Sequence, residues 1–163
     1  MYPQALLRSA EQVLEKCRRA GLKLVTAESC TGGLIVGCLT AVAGSSYVVD
    51  RGFVTYTNEA KQQMLGVPAG LFDTVGAVSE EVACAMAVGA IENSEGDLSV
   101  SVTGIAGPGG GTDNKPVGLV HIAVARKGAE TRHQRHLFSG DRSDVRMASV
   151  EAGILCLNNA LDD

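Results

Sequence analysis

The sequence predicts an α/β fold: a three-layer α/β/α sandwich around a mixed, mostly parallel sheet of about five strands. Two observations indicate this architecture. Stretches with helical periodicity alternate with short strand-like stretches, and two consecutive strand-like stretches near the end are separated by a tight turn. The chain has 163 residues, of which 45% are hydrophobic, enough to bury one core without disulfides or metal. We therefore expect a single domain over residues 1–163.

The chain begins with a helix, a strand and a second helix. Apolar side chains recur at helical spacing between Leu6 and Cys17, and Gly21 ends this first helix. Residues 22–27 (LKLVTA) predict a short buried strand. The turn ESCTGG follows the strand and leads into a helix that ends at Gly44.

The middle of the chain repeats the order of strand and helix. Residues 51–57 (RGFVTYT) predict the second strand, and the helix that follows it carries Lys61. Residues 66–78 (GVPAGLFDTVGAV) predict a loop. Ser79 then opens a helix with two acidic residues in its first turn.

The last part combines a strand, a loop, a hairpin and a helix. Residues 97–104 predict the third strand, and residues 105–116 contain too much glycine and proline for regular structure. Residues 117–125 and 130–138 predict two antiparallel strands joined by a Lys-Gly turn. Asp141 caps the final helix.

Composition and charge exclude several classes of protein. The net charge is −4 and long basic runs are absent, which argues against sequence-independent binding of nucleic acid. No apolar run approaches the roughly 20 residues that a membrane span requires, and the first residues lack the features of an export signal. We therefore expect a cytoplasmic protein with neither a membrane nor a nucleic acid as partner.

The five cysteines predict neither disulfides nor a metal site. Their number is odd and they form no CxxC pair, so we expect reduced thiols in the core. Three histidines, His121, His133 and His136, lie on the two late strands. His133 and His136 are three residues apart and would point to opposite faces of a strand, so metal ligation is the less favoured use. We expect no metal and no cofactor.

Three polar stretches follow the predicted strands. They are Glu28–Gly33, Tyr56–Lys61 and Thr103–Gly111. In open α/β sheets ligands bind outside the carboxyl ends of the strands. The sequence therefore predicts a ligand site where these three stretches meet.

Two of these stretches are suited to binding negative charge. The loop TGIAGPGGGT (103–112) lets backbone N–H groups approach an anion or oxyanion, although it is neither a P-loop nor a dinucleotide fingerprint. A mobile surface loop is the alternative. In the turn ESCTGG, Ser29, Thr31 and the first N–H groups of the helix have the chemistry to hold a phosphate or oxyanion. Ordinary helix capping is the alternative there.

Ser46 and Lys61 form the sharpest candidate for catalysis. A lysine in a partly dry pocket has a lowered pKa and accepts a proton from a serine hydroxyl. Tyr56 would relay a proton between them or orient Lys61. The alternative is a turn-capping serine and a solvated lysine, which spacing alone favours.

Two further candidates remain open. Cys30 is a rival nucleophile, because a thiolate at a helix N-terminus would have a lowered pKa, but a base for it is missing. Arg142 and Arg146 are one helical turn apart and suit a phosphate clamp; the alternative for both is a solvated helix face.

The whole chain resembles the CinA C-terminal domain family. The resemblance lies in five stretches, in order and at the family's spacing: residues 26–33, 44–61, 76–82, 102–118 and 140–146. It implies an α/β/α fold of the anticodon-binding-domain type. It also implies hydrolysis of nicotinamide mononucleotide to nicotinate mononucleotide and ammonia, in pyridine nucleotide salvage.

The resemblance also implies roles for matched residues. It raises Ser46 and Lys61, with Tyr56, above the alternative as the catalytic set, acting through an acyl-enzyme. The expected substrate-binding residues are Ser29, Thr31, Gly32, Gly33, Thr103, Gly104, Gly107 and Arg142. We expect a small nucleotide substrate and a homodimer. The competing hypothesis is a non-catalytic module that binds a nucleotide or a partner protein; a weaker one is a metal-dependent phosphohydrolase.

Overall fold

A five-stranded sheet organises the computed structural model, which describes residues 1–162. Its strands are β1 (Leu24–Glu28), β2 (Val49–Val54), β3 (Leu98–Gly104), β4 (Leu119–Arg126) and β5 (Arg132–Leu137). They lie in the order β2-β1-β3-β4-β5. β1 pairs in parallel with β2 and β3, whereas β4 is antiparallel to both β3 and β5. The predicted mixed sheet is confirmed, but only half of its strand pairs are parallel.

Helices cover both faces of this sheet. They are α1 (Gln4–Ala20), α2 (Leu34–Thr40), α3 (Asn58–Leu65), α4 (Ala69–Thr74), α5 (Glu80–Glu92) and α6 (Arg142–Asp162). Helices α1, α2 and α6 pack on one face, and α3 and α5 pack on the other. The predicted three-layer sandwich is therefore confirmed. Within residues 1–162, none of these helices combines the length and apolar character needed to cross a membrane.

β1 lies between the two apolar cores. Leu24 belongs to the larger core under α1, α2 and α6, whereas Val25 and Ala27 belong to the smaller core under α3 and α5. Successive side chains of a strand point to opposite faces, so a strand covered on both sides is buried along its whole length. All five residues of β1 are buried. This burial fixes the position of the residues that follow β1.

The small residues of α5 serve packing within the chain. Gly89 lies so close to α3 that an added Cβ would come within 1.9 Å of the Leu65 carbonyl oxygen. Alanines of α5 also meet alanines of β4 in a small buried cluster: Ala83, Ala87, Ala123 and Ala125. Such packing occupies small-residue surface that would otherwise suit a partner subunit. The expected homodimer stays a prediction.

Most predicted elements are confirmed, with one omission. The β4–β5 hairpin turns at Gly128, whose φ of 78° favours glycine, and Asp141 caps α6 through the amides of Ser143 and Asp144. The second strand ends at Val54 instead of residue 57. The prediction that residues 66–78 form only a loop is wrong, because α4 lies there. This six-residue helix has no buried residue and contains Gly70, so it gave no periodic signal.

Replacing Gly89 by alanine tests the close contact between α3 and α5. We expect Gly89→Ala to lower the free energy of unfolding by at least about 1 kcal/mol, because the new methyl group would clash with the Leu65 carbonyl oxygen. Chemical denaturation measures this change. Gly70→Ala is the matched control, since an added Cβ at this helical glycine meets nothing within 4 Å. It should raise stability by about 0.5–1 kcal/mol. Equal stability of the two variants would contradict the close contact.

Candidate active site

The three polar stretches meet at the carboxyl ends of the parallel strands, as predicted. Glu28, the last residue of β1, lies beside Val54 of β2 and Val102 of β3, so the three parallel strands end together. A cavity of about 280 Å³ opens beyond these ends. Its lining includes these predicted site residues: Ser29, Tyr56, Lys61, Thr103, Gly104, Gly107 and Arg142. A cavity therefore lies where the three stretches meet, and its use as a ligand site stays a prediction.

Lys61 lies at the base of the cavity on the second turn of α3. Thr57 caps this helix by accepting a hydrogen bond from the amide of Ala60 at 3.1 Å. The Lys61 side chain is only 1% exposed. Its Nζ lies 3.0 Å from Ser29 Oγ, 2.9 Å from the Thr55 carbonyl oxygen and 3.3 Å from the Tyr56 carbonyl oxygen. The predicted alternative of a solvated lysine is therefore wrong.

The surroundings of Lys61 suit an uncharged amine. Burial lowers the pKa of Lys61 to about 8. The carbonyls of Thr55 and Tyr56 can only accept, so they take the two N–H groups of a neutral amine. As a charged ammonium, Nζ donates to Ser29 Oγ at 3.0 Å; in the neutral amine the lone pair occupies this third direction and faces the Ser29 hydroxyl. Lys61 therefore contacts Ser29 in either protonation state.

Ser29 follows directly on β1. Its amide donates to the Val102 carbonyl at 3.0 Å, which continues the pairing of β1 with β3 by one residue. Its carbonyl accepts from the amide of Gly32 at 3.0 Å and closes the turn. The side chain is buried yet lines the cavity. Ser29 therefore combines a hydroxyl at the cavity wall with a buried amine beside it.

The predicted pairing of Ser46 with Lys61 is wrong within this chain. Ser46 lies in a short 3₁₀ turn, Ser45–Tyr47, that precedes β2, whereas Lys61 follows β2. The six residues of β2 separate the two ends of the strand by about 20 Å at about 3.3 Å per residue. Ser46 is exposed at the amino end of β2. It is not one of the residues that line the cavity in the described part of the chain. The tyrosine relay between Ser46 and Lys61 is wrong for the same reason.

Three predicted substrate-binding residues also lie outside the cavity lining that the structure describes: Thr31, Gly32 and Gly33. The protein's own Glu28 carboxylate accepts from the Thr31 hydroxyl and from the Gly33 amide. The Gly32 amide donates to the Ser29 carbonyl. The structure therefore favours the alternative prediction, in which this turn caps the helix, over a site for phosphate or an oxyanion. The cap is the preceding glutamate, not Ser29 or Thr31.

The two arginines of α6 have different surroundings. Arg142 lines the mouth of the cavity, where it donates to the Gly107 carbonyl and the Tyr56 hydroxyl, each at 2.9 Å. Arg146 donates to the carbonyls of Cys30 and Thr31 at 3.0 and 3.2 Å. Only Arg142 therefore offers its charge to the cavity. Arg146 stabilises the turn behind it.

Tyr56 and Thr103 frame the cavity from opposite sides. Tyr56 is exposed, and it touches Lys61 through its carbonyl oxygen while its hydroxyl meets Arg142. The Thr103 hydroxyl donates to the Ala77 carbonyl at 2.9 Å and so ties β3 to the segment before α5. Gly104 and Gly107 continue the wall into the glycine-rich loop.

The surroundings of Cys30 do not suit a nucleophile. The thiol lies beside the cavity but is only 6% exposed. Burial raises the pKa of Cys30 to about 11, although the Arg146 and Lys61 charges oppose the shift. The prediction of a lowered pKa for this thiol is wrong, because loss of water outweighs its position before a helix.

The histidines lie away from the cavity lining. His121 Nδ1 lies 2.8 Å from His133 Nε2, and their rings stack. Burial lowers the pKa of His121 to about 4, and the neighbouring His133, Arg135 and Lys115 lower it further. Residues 1–162 contain no group of three or more histidine, cysteine, aspartate or glutamate side chains arranged to hold a metal ion.

Sequence reasoning missed the partner of Lys61, although a signal for it was present. Ligands bind at the carboxyl ends of strands, and Ser46 stands before its strand whereas Ser29 stands after one. Applied to each serine in turn, that rule selects Ser29. The contacts of Glu28 were also missed, because nothing in the sequence indicates that its side chain reaches the first amides of the following helix.

The fold and the site define an α/β protein with a buried serine–lysine pair in a cavity at the carboxyl ends of parallel strands. Residues 7–161 match the family model described as the CinA C-terminal domain. The chain therefore belongs to the CinA C-terminal domain family.

Individual relatives agree with this membership. The chain is 47% identical over 146 residues to the nicotinamide-nucleotide amidohydrolase PncC of Escherichia coli K12, covering 90% of this chain and 88% of that protein. The crystal structure of the competence/damage inducible protein CihA from Agrobacterium tumefaciens superposes with a TM-score of 0.96 at 46% identity, covering 100% of this chain and 99% of that one.

Other relatives are much longer than this chain. A CinA-like protein of Citrifermentans bemidjiense is 58% identical over 129 residues, which cover 79% of this chain but 31% of that protein. A putative competence-damage inducible protein of Caldicellulosiruptor saccharolyticus is 48% identical over 36% of its own length. The chain thus spans about a third of these longer relatives. The expectation of a single domain stays a prediction.

The titration of Lys61 tests the geometry of the site without any substrate. We expect its side chain to titrate with a midpoint pKa near 8, followed by NMR of the labelled lysine Cε groups. An unfolded lysine binds its proton up to about pH 10.4, so Lys61 contributes a rise in the free energy of unfolding between about pH 8 and 10.4. The rise is measured as a difference from Lys61→Met, because buried thiols such as Cys17 and Cys38 contribute the opposite slope in both proteins. Lys61→Met is the control, and its stability should lack that rise. A midpoint for Lys61 at the ordinary lysine value would contradict the burial of the amine.

Proposed function

We propose that this chain is an amidohydrolase that converts nicotinamide mononucleotide to nicotinate mononucleotide and ammonia, with Ser29 as nucleophile and Lys61 as general base. The observation that carries the proposal is the 3.0 Å contact between Lys61 Nζ and Ser29 Oγ at the cavity wall. The relative named nicotinamide-nucleotide amidohydrolase supports the substrate. Pyridine nucleotide salvage in the cytoplasm is part of the same proposal.

Acylation begins when the neutral amine of Lys61 takes the hydroxyl proton of Ser29. The Ser29 oxygen attacks the carboxamide carbon and forms a tetrahedral intermediate with a negative oxygen. Lys61 then returns the proton to the nitrogen, so the C–N bond breaks and ammonia leaves. The product of this half-reaction is a nicotinoyl ester on Ser29.

Deacylation repeats the same proton transfers with water. Lys61 takes a proton from a water molecule, which attacks the ester carbon. The proton then returns to the Ser29 oxygen as the ester bond breaks, and nicotinate mononucleotide is released. One base thus serves both half-reactions, and neither requires a histidine.

Two further parts of the cavity support the substrate. Backbone amides of the glycine-rich wall from Gly104 to Gly110 are candidates for stabilising the negative oxygen, where single donors are typically worth about 3 kcal/mol. The exposed guanidinium of Arg142 at the cavity mouth is the candidate for the phosphate of the nucleotide. The positive pyridinium of the substrate would further disfavour a protonated Lys61.

Substitution of the two serines tests the nucleophile. We expect Ser29→Ala to lower the rate of ammonia release from nicotinamide mononucleotide by at least about 10³-fold, because no other hydroxyl contacts Lys61 in the part of the chain described. Ser46→Ala is the matched control and should leave the rate within about threefold of the unchanged protein. A fast Ser29→Ala variant, or a slow Ser46→Ala variant, would contradict the assignment.

A substitution of Lys61 and the pH dependence of the rate test Lys61 as the general base. We expect Lys61→Arg to lower kcat by about 10²- to 10⁴-fold, because arginine keeps the charge but does not deprotonate.

In the unchanged protein kcat/KM should fall about tenfold per pH unit below the Lys61 pKa of about 8, since only the neutral amine reacts. A flat profile between pH 6 and 8 would argue against Lys61 as base.

A substitution of Arg142 tests the proposed phosphate site. We expect Arg142→Gln to raise KM for nicotinamide mononucleotide by about 10- to 100-fold, because a charge-assisted contact is lost. Nicotinamide riboside has the same carboxamide without the phosphate, so its kinetics should change little. Equal losses with both compounds would place the phosphate elsewhere.

The competing function is a module that binds nucleotides without turnover. The family's presence in proteins about three times as long as this chain is the observation that favours it. Calorimetry with nicotinamide mononucleotide separates the two functions. Binding without ammonia release would support the module, and release that depends on Ser29 would support the amidase.

A further inference from the structure

We propose that Glu28 and Arg146 form a clamp that positions Ser29 against Lys61. The inference rests on the proposed function, in which Ser29 is the nucleophile. Neither clamp residue lines the cavity described here, so both would act through the turn and not on the substrate. The clamp is defined by these two side chains and by the turn from Glu28 to Gly33 that they hold.

Glu28 holds the amide side of the turn. Its carboxylate is fully buried. It accepts five hydrogen bonds of 2.7–3.1 Å, from the hydroxyls of Thr26 and Thr31 and from the backbone amides of Gly33, Ile35 and Val36. Three of these donors are N–H groups at the start of α2 that have no carbonyl partner within the helix. The carboxylate therefore satisfies the helix N-terminus and fixes where the turn enters it.

The chemistry of these contacts requires an acceptor at both oxygens. One oxygen accepts from Thr26 and Val36, and the other accepts from Thr31, Gly33 and Ile35. A carboxylate provides this, whereas an amide presents a donor NH₂ group at one of the two positions. A buried carboxylate would ordinarily be costly. The five donors and the positive end of the helix dipole offset that cost.

Arg146 holds the carbonyl side of the same turn. Its Nε donates to the Cys30 carbonyl at 3.0 Å and its Nη2 donates to the Thr31 carbonyl at 3.2 Å. The planar guanidinium thus fixes two consecutive carbonyls, which a lysine cannot do in the same way. Gly32 has a φ of 58°, and an added Cβ would lie 3.4 Å from Arg146 Nη2. The turn is therefore fitted closely around the arginine.

Ser29 lies between the two points that the clamp holds. Residue 28 is fixed through its side chain and residue 30 through its carbonyl, so little freedom remains for the hydroxyl between them. The hydroxyl must stay near 3.0 Å from Lys61 Nζ for proton transfer. A displacement of about 1 Å in such a site costs about 100-fold in rate. The clamp would accordingly affect kcat and leave substrate affinity nearly unchanged.

Glu28→Gln and Arg146→Gln test the clamp. For each variant we expect kcat for ammonia release to fall by about 10- to 100-fold while KM stays within about threefold. We also expect crystal structures of the variants to show Ser29 Oγ more than 3.5 Å from Lys61 Nζ, beyond hydrogen-bond distance. Arg146→Lys, which keeps the charge and reaches one carbonyl, should recover part of the lost kcat.

Thr26→Val is the matched control. It removes one of the five donors to Glu28 but lies on β1, outside the turn. We expect it to lower the melting temperature while kcat stays within about threefold of the unchanged protein. Assays run well below every melting temperature separate a positioning effect from loss of folded protein. If Glu28→Gln does not fold, Arg146→Gln decides the matter, because its half-exposed site tolerates substitution more readily.

Two results would overturn the clamp. One is a kcat within about threefold of normal in the folded variants; the other is an unchanged distance of 3.0 Å between Ser29 Oγ and Lys61 Nζ. The crystallographic distance does not depend on turnover. If the unchanged protein released no ammonia, the proposed function would fail while the distance still tested the clamp.

Discussion

A buried amine in contact with a serine hydroxyl is the interaction on which the proposed site depends. Lys61 reaches Ser29 only because three parallel strands end together and α3 turns back over their ends. The carbonyls of Thr55 and Tyr56 fix the direction of the amine. Burial lowers its pKa to about 8, so a useful fraction of the base is uncharged near neutral pH.

Burial of the Lys61 amine suits the proposed reaction but lowers the stability of the folded protein. Taking an amine out of water disfavours its charged form, and the fold must offset that cost elsewhere. The five hydrogen bonds of Glu28 and the two cores on either side of β1 lie immediately behind the serine turn. The sheet thereby holds a buried lysine whose position is itself unfavourable for stability, as the proposed active site would require.

The sequence was sufficient to predict the three layers and the end of the sheet at which the cavity opens. Alternating periodicities located the helices and strands, and the polar stretches after β1, β2 and β3 located the cavity. It was insufficient for the pairing of side chains. Ser46 and Lys61 are near in sequence, yet β2 carries one away from the other, whereas Ser29 is 32 residues from Lys61 and touches it. The contacts of Glu28 with the amides of Gly33, Ile35 and Val36 likewise depend on the path of the turn between β1 and α2, which the sequence pattern did not predict.

Locating the covalent intermediate is the most direct test of Ser29 as nucleophile. The protein is acid-quenched during turnover of nicotinamide mononucleotide and digested with trypsin, which releases residues 24–51 as one peptide that carries both Ser29 and Ser46. Fragment-ion sequencing then shows which side chain bears the nicotinoyl group. We expect an ester on Ser29. An ester on Ser46, or a thioester on Cys30, would contradict it.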